Sequence, residues 1–202
     1  MFKKFKLANV PIGKSVEVFE KRFTVLDHTD DGVLVLSESI ETNMPFQDRD
    51  IYRYLNGEYL DELKSSVDDV NAILDMEIDL RCVSNRHEYE TGKIKAGLLT
   101  VDQYEEFYEI IPIANARWWL AMPYDTLLNS PNADFTGYGW VVNTNGSYDG
   151  RYYYDKSYGI RPALVLSFSL DVSCDGIADD KATPLSYYSN EELLKEIKRR
   201  LR

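Results

Sequence analysis

Two adjacent tryptophans, in Arg117-Trp118-Trp119-Leu120, constrain this chain more than any other feature. Their counterpart is the run Gly159-Ile160-Arg161-Pro162-Ala163-Leu164-Val165-Leu166. Large apolar side chains bury so much area that they decide where a core lies. Both runs therefore read as core strands, with Arg117 to Leu120 the central one and residues 158–168 the last. Pro162 is tolerated near a strand start or at an edge. Between the two runs lie Gly137, Gly139, Gly146 and Gly150 among many Asn, Asp and Tyr residues. That stretch reads as loops and short hairpins on a rigid frame, where binding residues concentrate.

A chain of 202 residues with 44% hydrophobic and 13% aromatic content can bury one good core and is not disordered. No apolar run approaches the ~20 residues that span a membrane. The basic start Met1-Phe2-Lys3-Lys4-Phe5-Lys6 meets Pro11 and Gly13 where a signal peptide needs its apolar region. Cys82 and Cys174 are far apart and form no CxxC pair, so reduced thiols are expected. The net charge of −11 opposes direct binding of nucleic acid or anionic membranes but suits a basic protein surface. Acids concentrate in Glu58, Asp61, Glu62, Asp68, Asp69, Asp75, Glu77 and Asp79, opposed in that stretch only by Lys64. A solvated acidic face is the plain reading. The sharper alternative is a nucleic-acid-mimicking inhibitor acting through Asp68, Asp69, Asp75, Glu77 and Asp79.

In chain order, residues 16–23 and 24–27 read as short strands, Asp30-Asp31-Gly32 as a turn and Val33 to Leu36 as a buried strand, giving an N-terminal hairpin or meander. Asp48 or Asp50 can cap a helix carrying Ile51, Tyr54, Leu55, Tyr59 and Leu63, with Asn56-Gly57 bending or ending it. Val67, Val70, Ile73, Leu74 and Ile78 fit either a helix or an irregular segment, and residues 84–95 read as an exposed loop. Thr100 with Gln103 forms a capping box for a second helix bearing Val101, Tyr104, Phe107 and Tyr108, which Pro112 ends. Asn145-Gly146 suggests a type I′ hairpin turn between Gly139 to Asn143 and Tyr148 onward. After a polar linker at 173–188, Ser189 with Glu192 caps an amphipathic helix over 189–202, which needs the domain, another copy or a partner to cover its apolar stripe.

The segments Phe23-Thr24-Val25-Leu26-Asp27, Ile51-Tyr52-Arg53-Tyr54-Leu55-Asn56-Gly57, Leu98-Leu99-Thr100, the Trp-Trp-Leu run and Gly-Ile-Arg-Pro-Ala-Leu together resemble an uncharacterised domain of Gram-positive bacteria and their phages. That domain is related to C-type-lectin-like and formylglycine-generating-enzyme-like folds. The resemblance covers about residues 14 to 170. It implies an α+β, C-type-lectin-like mixed fold over 1–172, with an N-terminal β-hairpin, two helices and a loop-rich antiparallel sheet, plus the C-terminal helix. It also implies a phage- or mobile-element-encoded module, cytoplasmic in the host or virion-associated. Departures accompany it: Ala121-Met122-Pro123 stands where the family carries Arg-Ser-Pro, and residues 121–158 lack the cysteines that formylglycine chemistry needs. Ser130-Pro131-Asn132 with Asp134 lacks the leading acid of a lectin calcium triplet.

His28 and His87 have no metal-site spacing, and no phosphate loop, HExxH or nucleophile–base pattern appears. No enzyme, metal or cofactor is expected. The positive signal is aromatic: Tyr124, Tyr138, Trp140, Tyr148, Tyr152, Tyr153 and Tyr154 fall in or beside loops, where rigid amphipathic rings suit recognition of a protein or glycan. Trp118, Trp119 and Arg161 are expected to be frame residues, with Arg161 semi-buried and paired to an acid.

Overall fold

In a computed structural model, residues 4–46, 48–66, 70–78, 92–123, 138–152 and 157–174 are described below. The longest apolar runs build the larger of two main sheets. Its strands are β1 (Lys4–Lys6), β2 (Ser15–Val18), β3 (Lys21–His28), β4 (Val33–Ser37), β6 (Ile73–Leu74), β9 (Ala96–Gly97), β14 (Ala163–Leu166) and β15 (Asp171–Cys174). They run in the order β1-β15-β2-β3-β4-β14-β6, with β9 also on β14. Ser173 and Cys174 thus lie in the strand that joins the two ends of the described chain. All five residues of β4 and all four of β14 are buried, because both faces of this antiparallel pair are covered.

The smaller sheet holds β5 (Thr42–Pro45), β10 (Trp118–Pro123), β11 (Tyr138–Val142), β12 (Tyr148–Tyr152) and β13 (Ser157–Ile160), in the order β12-β11-β10-β13-β5. The Trp-Trp strand β10 is its centre. It pairs antiparallel with β11 and parallel with β13, where Trp118 lies beside Gly159 and the Gly159 N–H donates to the Arg117 carbonyl at 2.8 Å. A Cβ on Gly159 would lie 3.0 Å from that oxygen and 2.7 Å from Ile40, so the close crossing needs glycine. The molecule is a mixed α and β protein in which strands predominate.

Residues 158–168, expected as one strand, form two strands in different sheets. Pro162 has no N–H for a ladder, and the chain turns there from β13 into β14. Its carbonyl accepts from the Ser37 N–H at 2.8 Å, so the corner is tied to the end of β4. Residues 73–78, left open between helix and irregular segment, are strands instead: β6 on β14, and β7 (Met76–Ile78) paired with β8 (Gly92–Ile94). The Asn145-Gly146 turn is not type I′. Gly146 has φ of +83° and Asn145 does not have positive φ, while the Gly146 N–H returns to the Asn143 carbonyl at 3.0 Å. This is the longer hairpin connection, a turn followed by a left-handed glycine. A turn without sequence warning links β2 to β3: Phe19 and Glu20 have φ of 56° and 59°.

The first helical stretch runs from α1 (Asp48–Tyr54) through a widened π-turn (Leu55–Tyr59) into α2 (Leu60–Ser65). Asn56-Gly57 neither ends nor breaks it. The Asn56 side chain donates to the Tyr52 and Ala96 carbonyls at 3.1 and 2.8 Å, and its Oδ1 accepts from the Lys95 and Ala96 N–H groups at 2.8 and 3.1 Å. One amide thus fixes the widened turn against the strand at β9. The second helix, α3 (Val101–Phe107), opens on the expected capping box between Thr100 and Gln103. The C-terminal helix at 189–202 and the linker beyond Cys174 fall outside the described residues.

These contacts predict opposite outcomes at neighbouring positions. Asn56→Ala leaves several backbone groups without partners and should lower stability by about 2–4 kcal/mol. Gly57→Ala places a Cβ where nothing lies within 4 Å and should raise it by about 0.5–1 kcal/mol. Denaturant unfolding of both variants checks the pair.

Candidate functional site

The site grows from the Arg161-Pro162 corner. Arg161 is 0% exposed, a full burial rather than the half-burial expected, and no carboxylate among the described residues pairs with it. Its Nε donates to the Ser37 carbonyl at 2.6 Å and its Nη1 to the Pro112 carbonyl at 2.9 Å. The guanidinium also lies 5.2 Å from the Trp118 ring centre. A planar, weakly hydrated cation can be held by carbonyls and an aromatic face in this way. Nη2 has no hydrogen-bond partner among the described residues. Burial holds the guanidinium pKa down to about 10, against the smaller opposing pull of Glu38.

Aromatic rings lead outward from this cation. Trp118 meets Tyr104 at 5.6 Å, Tyr104 meets Tyr148 at 5.8 Å and Tyr148 meets Trp140 at 5.3 Å, all edge-on. Helix α3 supplies Tyr104 and the β11–β12 hairpin supplies Trp140 and Tyr148. Two hydroxyls tie these elements together: Tyr104 donates to the Gly146 carbonyl at 2.7 Å, and Tyr148 donates to the Glu105 carboxylate. Burial raises the Tyr104 pKa, and the bond to Glu105 is the main cause of the rise at Tyr148.

Between α3, residues 108–114 and the hairpin turn lies a cavity of about 490 Å³, lined among others by Tyr104, Trp118, Asn143 and Arg161. That volume suits a small ligand or one end of a larger one. Its wall at Ile111, Pro112 and Ile113 is apolar; Asn143, Asn145 and Ser147 form the polar side. Asn143 uses its Nδ2 on Ser147 at 3.2 Å, while its Oδ1 is buried without a partner. The cavity walls therefore contain one unpartnered donor and one unpartnered acceptor.

Of the aromatic residues singled out in the sequence, Trp140 and Tyr148 are half-buried and in contact here. Tyr138 and Tyr152 pair across β11 and β12. Tyr124, Tyr153 and Tyr154 lie outside the described residues, as do Asn132, Asp134, Cys82 and His87. Sequence reasoning missed Tyr104 and residues 108–114 as site components. The run Ile110-Ile111-Pro112-Ile113, apolar beyond the end of the helix, was the available signal for the last of these.

The acidic stretch is less uniform than its composition. Asp75 pairs with Lys95 at 2.9 Å, which holds its carboxyl below the usual range, and Glu77 lies opposite Lys93. Asp68, Asp69 and Asp79 lie outside the described residues. A second titratable cluster lies elsewhere: Lys21 pairs with Glu41 at 2.6 Å and Glu62 at 3.0 Å, 5.6 Å from the centre of the Tyr59 ring. His28 is engaged by the Val10 carbonyl at 2.9 Å. Among the described residues no group of three or more His, Cys, Asp or Glu side chains could hold a metal, and no helix is long and apolar enough to cross a membrane. No protein-family model, curated protein or solved structure matches the chain.

The tyrosines give a signed pH prediction. Burial raises the pKa of Tyr59 strongly, so its neutral form is favoured by folding. A raised folded pKa gives stability that is complete below the unfolded value of 10.0 and is lost as pH climbs toward the folded value. Tyr59→Phe should therefore resist alkaline unfolding better than the parent. It should cost little at pH 7, because the Tyr59 hydroxyl is buried without a partner. Tyr104→Phe loses a made bond instead and should cost about 1 kcal/mol at pH 7. Thermal unfolding from pH 7 to above pH 10 distinguishes the two.

Proposed function

We propose that this chain is a non-enzymatic ligand-binding module on a C-type-lectin-like frame, phage- or mobile-element-encoded, that recognises a protein or glycan through the cavity beside the β11–β12 hairpin. The observation that carries this reading is the buried Arg161 in the wall of an aromatic cavity, with Nη2 unpartnered and no carboxylate bonded to the guanidinium among the described residues. A buried cation with an unused donor costs stability, and a ligand group that completes it relieves that cost. Half-buried Trp140 and Tyr148 do not line the cavity but continue the aromatic series from its wall at Tyr104, adding rigid contact area for a ligand that extends beyond it. The pairing of Asp75 with Lys95 leaves the acidic-inhibitor reading with less free charge than the sequence implies.

The test is binding by the purified chain to arrayed glycans and to peptide libraries, followed by substitution. Trp140→Ala should weaken a ligand so found by about 2 kcal/mol while the fold survives. Trp118→Ala should unfold the domain, since removing a buried tryptophan costs ~3–5 kcal/mol of a typical ~5–15. If charge reversal at Asp75 and Glu77 abolishes binding while Trp140→Ala is neutral, the acidic surface is the binding face and this reading is wrong.

A further inference from the structure

The walls of the cavity hold more information than its volume. Arg161 offers an unmatched N–H donor carrying positive charge, and Asn143 offers an unmatched carbonyl acceptor. A ligand that satisfies both needs an anionic acceptor close to a donor. Between them the wall at Ile111, Pro112 and Ile113 wants an apolar group. The rim carries negative charge: Glu109 lines the cavity, and Glu105 of α3 stands at the Tyr148 hydroxyl. A bare anion would be repelled there, and the net charge of −11 adds to this. The chemistry calls for a carboxylate carried in on a chain whose remainder is apolar and then basic.

Resting on the binding-module reading, we infer that the cavity captures the C-terminal residue of a polypeptide, its carboxylate at Arg161, its main-chain N–H at Asn143 Oδ1 and its apolar side chain against residues 111–113. Bidentate or charge-assisted bonds from a guanidinium are the strong form of carboxylate recognition, and capture of a chain terminus is a recurrent mode of peptide binding. Basic residues just upstream meet Glu109 and Glu105 at the rim. Neither Nη2 nor Asn143 Oδ1 is open to water in the ligand-free form. Engagement therefore requires lining side chains to give, and Tyr108 and Ile113, 57% and 69% exposed, are large side chains on that lining with room to do so.

The experiment uses the full chain and two matched libraries of N-acetylated tetrapeptides, one ending in free carboxylates and one in carboxamides. Trp118 in the cavity wall supplies a fluorescence readout, and calorimetry on the best sequences supplies affinities. Expected is saturable binding of free acids with an apolar last residue and Lys or Arg upstream, with the matched amides weaker by about tenfold or more. Arg161→Gln should abolish the preference for acid over amide. Should that variant fail to fold, Asn143→Leu at the half-buried turn should weaken the same acids while the melting profile stays close to the parent's. Amides that bind as well as acids would overturn the assignment to a chain terminus and leave the binding module standing. So would glycans that bind while no peptide does. Failure of peptides and glycans alike would overturn the module reading itself.

Discussion

Everything in this fold depends on two neighbouring side chains pointing opposite ways. Successive residues of a strand face opposite sides of their sheet, so Trp118 and Trp119 cannot share a core. Trp119 joins the larger cluster, with Ile51, Leu55 and Leu63 from the α1–α2 stretch and Val33 and Val35 from β4. Trp118 joins the other, with Tyr104 of α3, Leu34 and Leu36. Strand β4 is split by the same alternation, as is β14, whose Leu164 and Leu166 face one cluster and Ala163 and Val165 the other. The dipeptide is therefore the rivet between two cores. Its indole N–H is also spent well: Trp119 Nε1 donates to the Met44 carbonyl at 2.8 Å, fixing β5 at the far edge of the small sheet.

Arg161 follows from that arrangement. Strand β13 lies beside Trp118, and β14 lies in the other sheet against β4, so the chain between them must cross from one sheet to the other within two residues. Backbone carbonyls at such a corner lose their ladder partners and must find others. The guanidinium serves the Ser37 carbonyl at the corner and reaches the Pro112 carbonyl of the segment between α3 and β10, and the Trp118 ring covers its face. The same residue thus solves a structural problem and leaves one donor over, in a side chain that lines the cavity.

How much of this was legible in the sequence depends on whether a signal was local. The Thr100 and Gln103 box needs only three residues of context and could be read directly. So could burial at Trp118 and Trp119, which follows from size. The split of residues 158–168 was harder, because Ile160 and Ala163 look like one apolar run; only the partners, Asn43 and Thr42 on one side and Leu36 on the other, reveal two sheets. Asn56 read as a helix breaker by propensity, yet three of its four side-chain bonds reach residues 95 and 96, which no local pattern could indicate. The acid expected opposite Arg161 was a sound default for a buried cation. Carbonyls at a sheet-to-sheet corner replaced it, and that is a property of topology.

Two departures from ordinary local rules remain, and they differ in kind. Phe19 and Glu20 hold left-handed backbone at a tight connection, a conformation that costs an L-residue roughly 1–2 kcal/mol. The cost is offset on the spot, since Phe19 is buried and packs edge-on against Phe23 at 6.5 Å. Neither residue of that turn carries a buried side-chain polar atom without a partner, so its strain points to no ligand. Arg161 and Asn143 are the reverse case: their backbone is ordinary, but each carries a buried polar atom with no partner, and both line one cavity. Single unmet atoms also occur elsewhere, as at the Tyr59 hydroxyl, but this pair of donor and acceptor shares one cavity lining. Unmet polar atoms in a shared cavity, rather than strained backbone, are therefore the feature that separates the site from the rest of the fold.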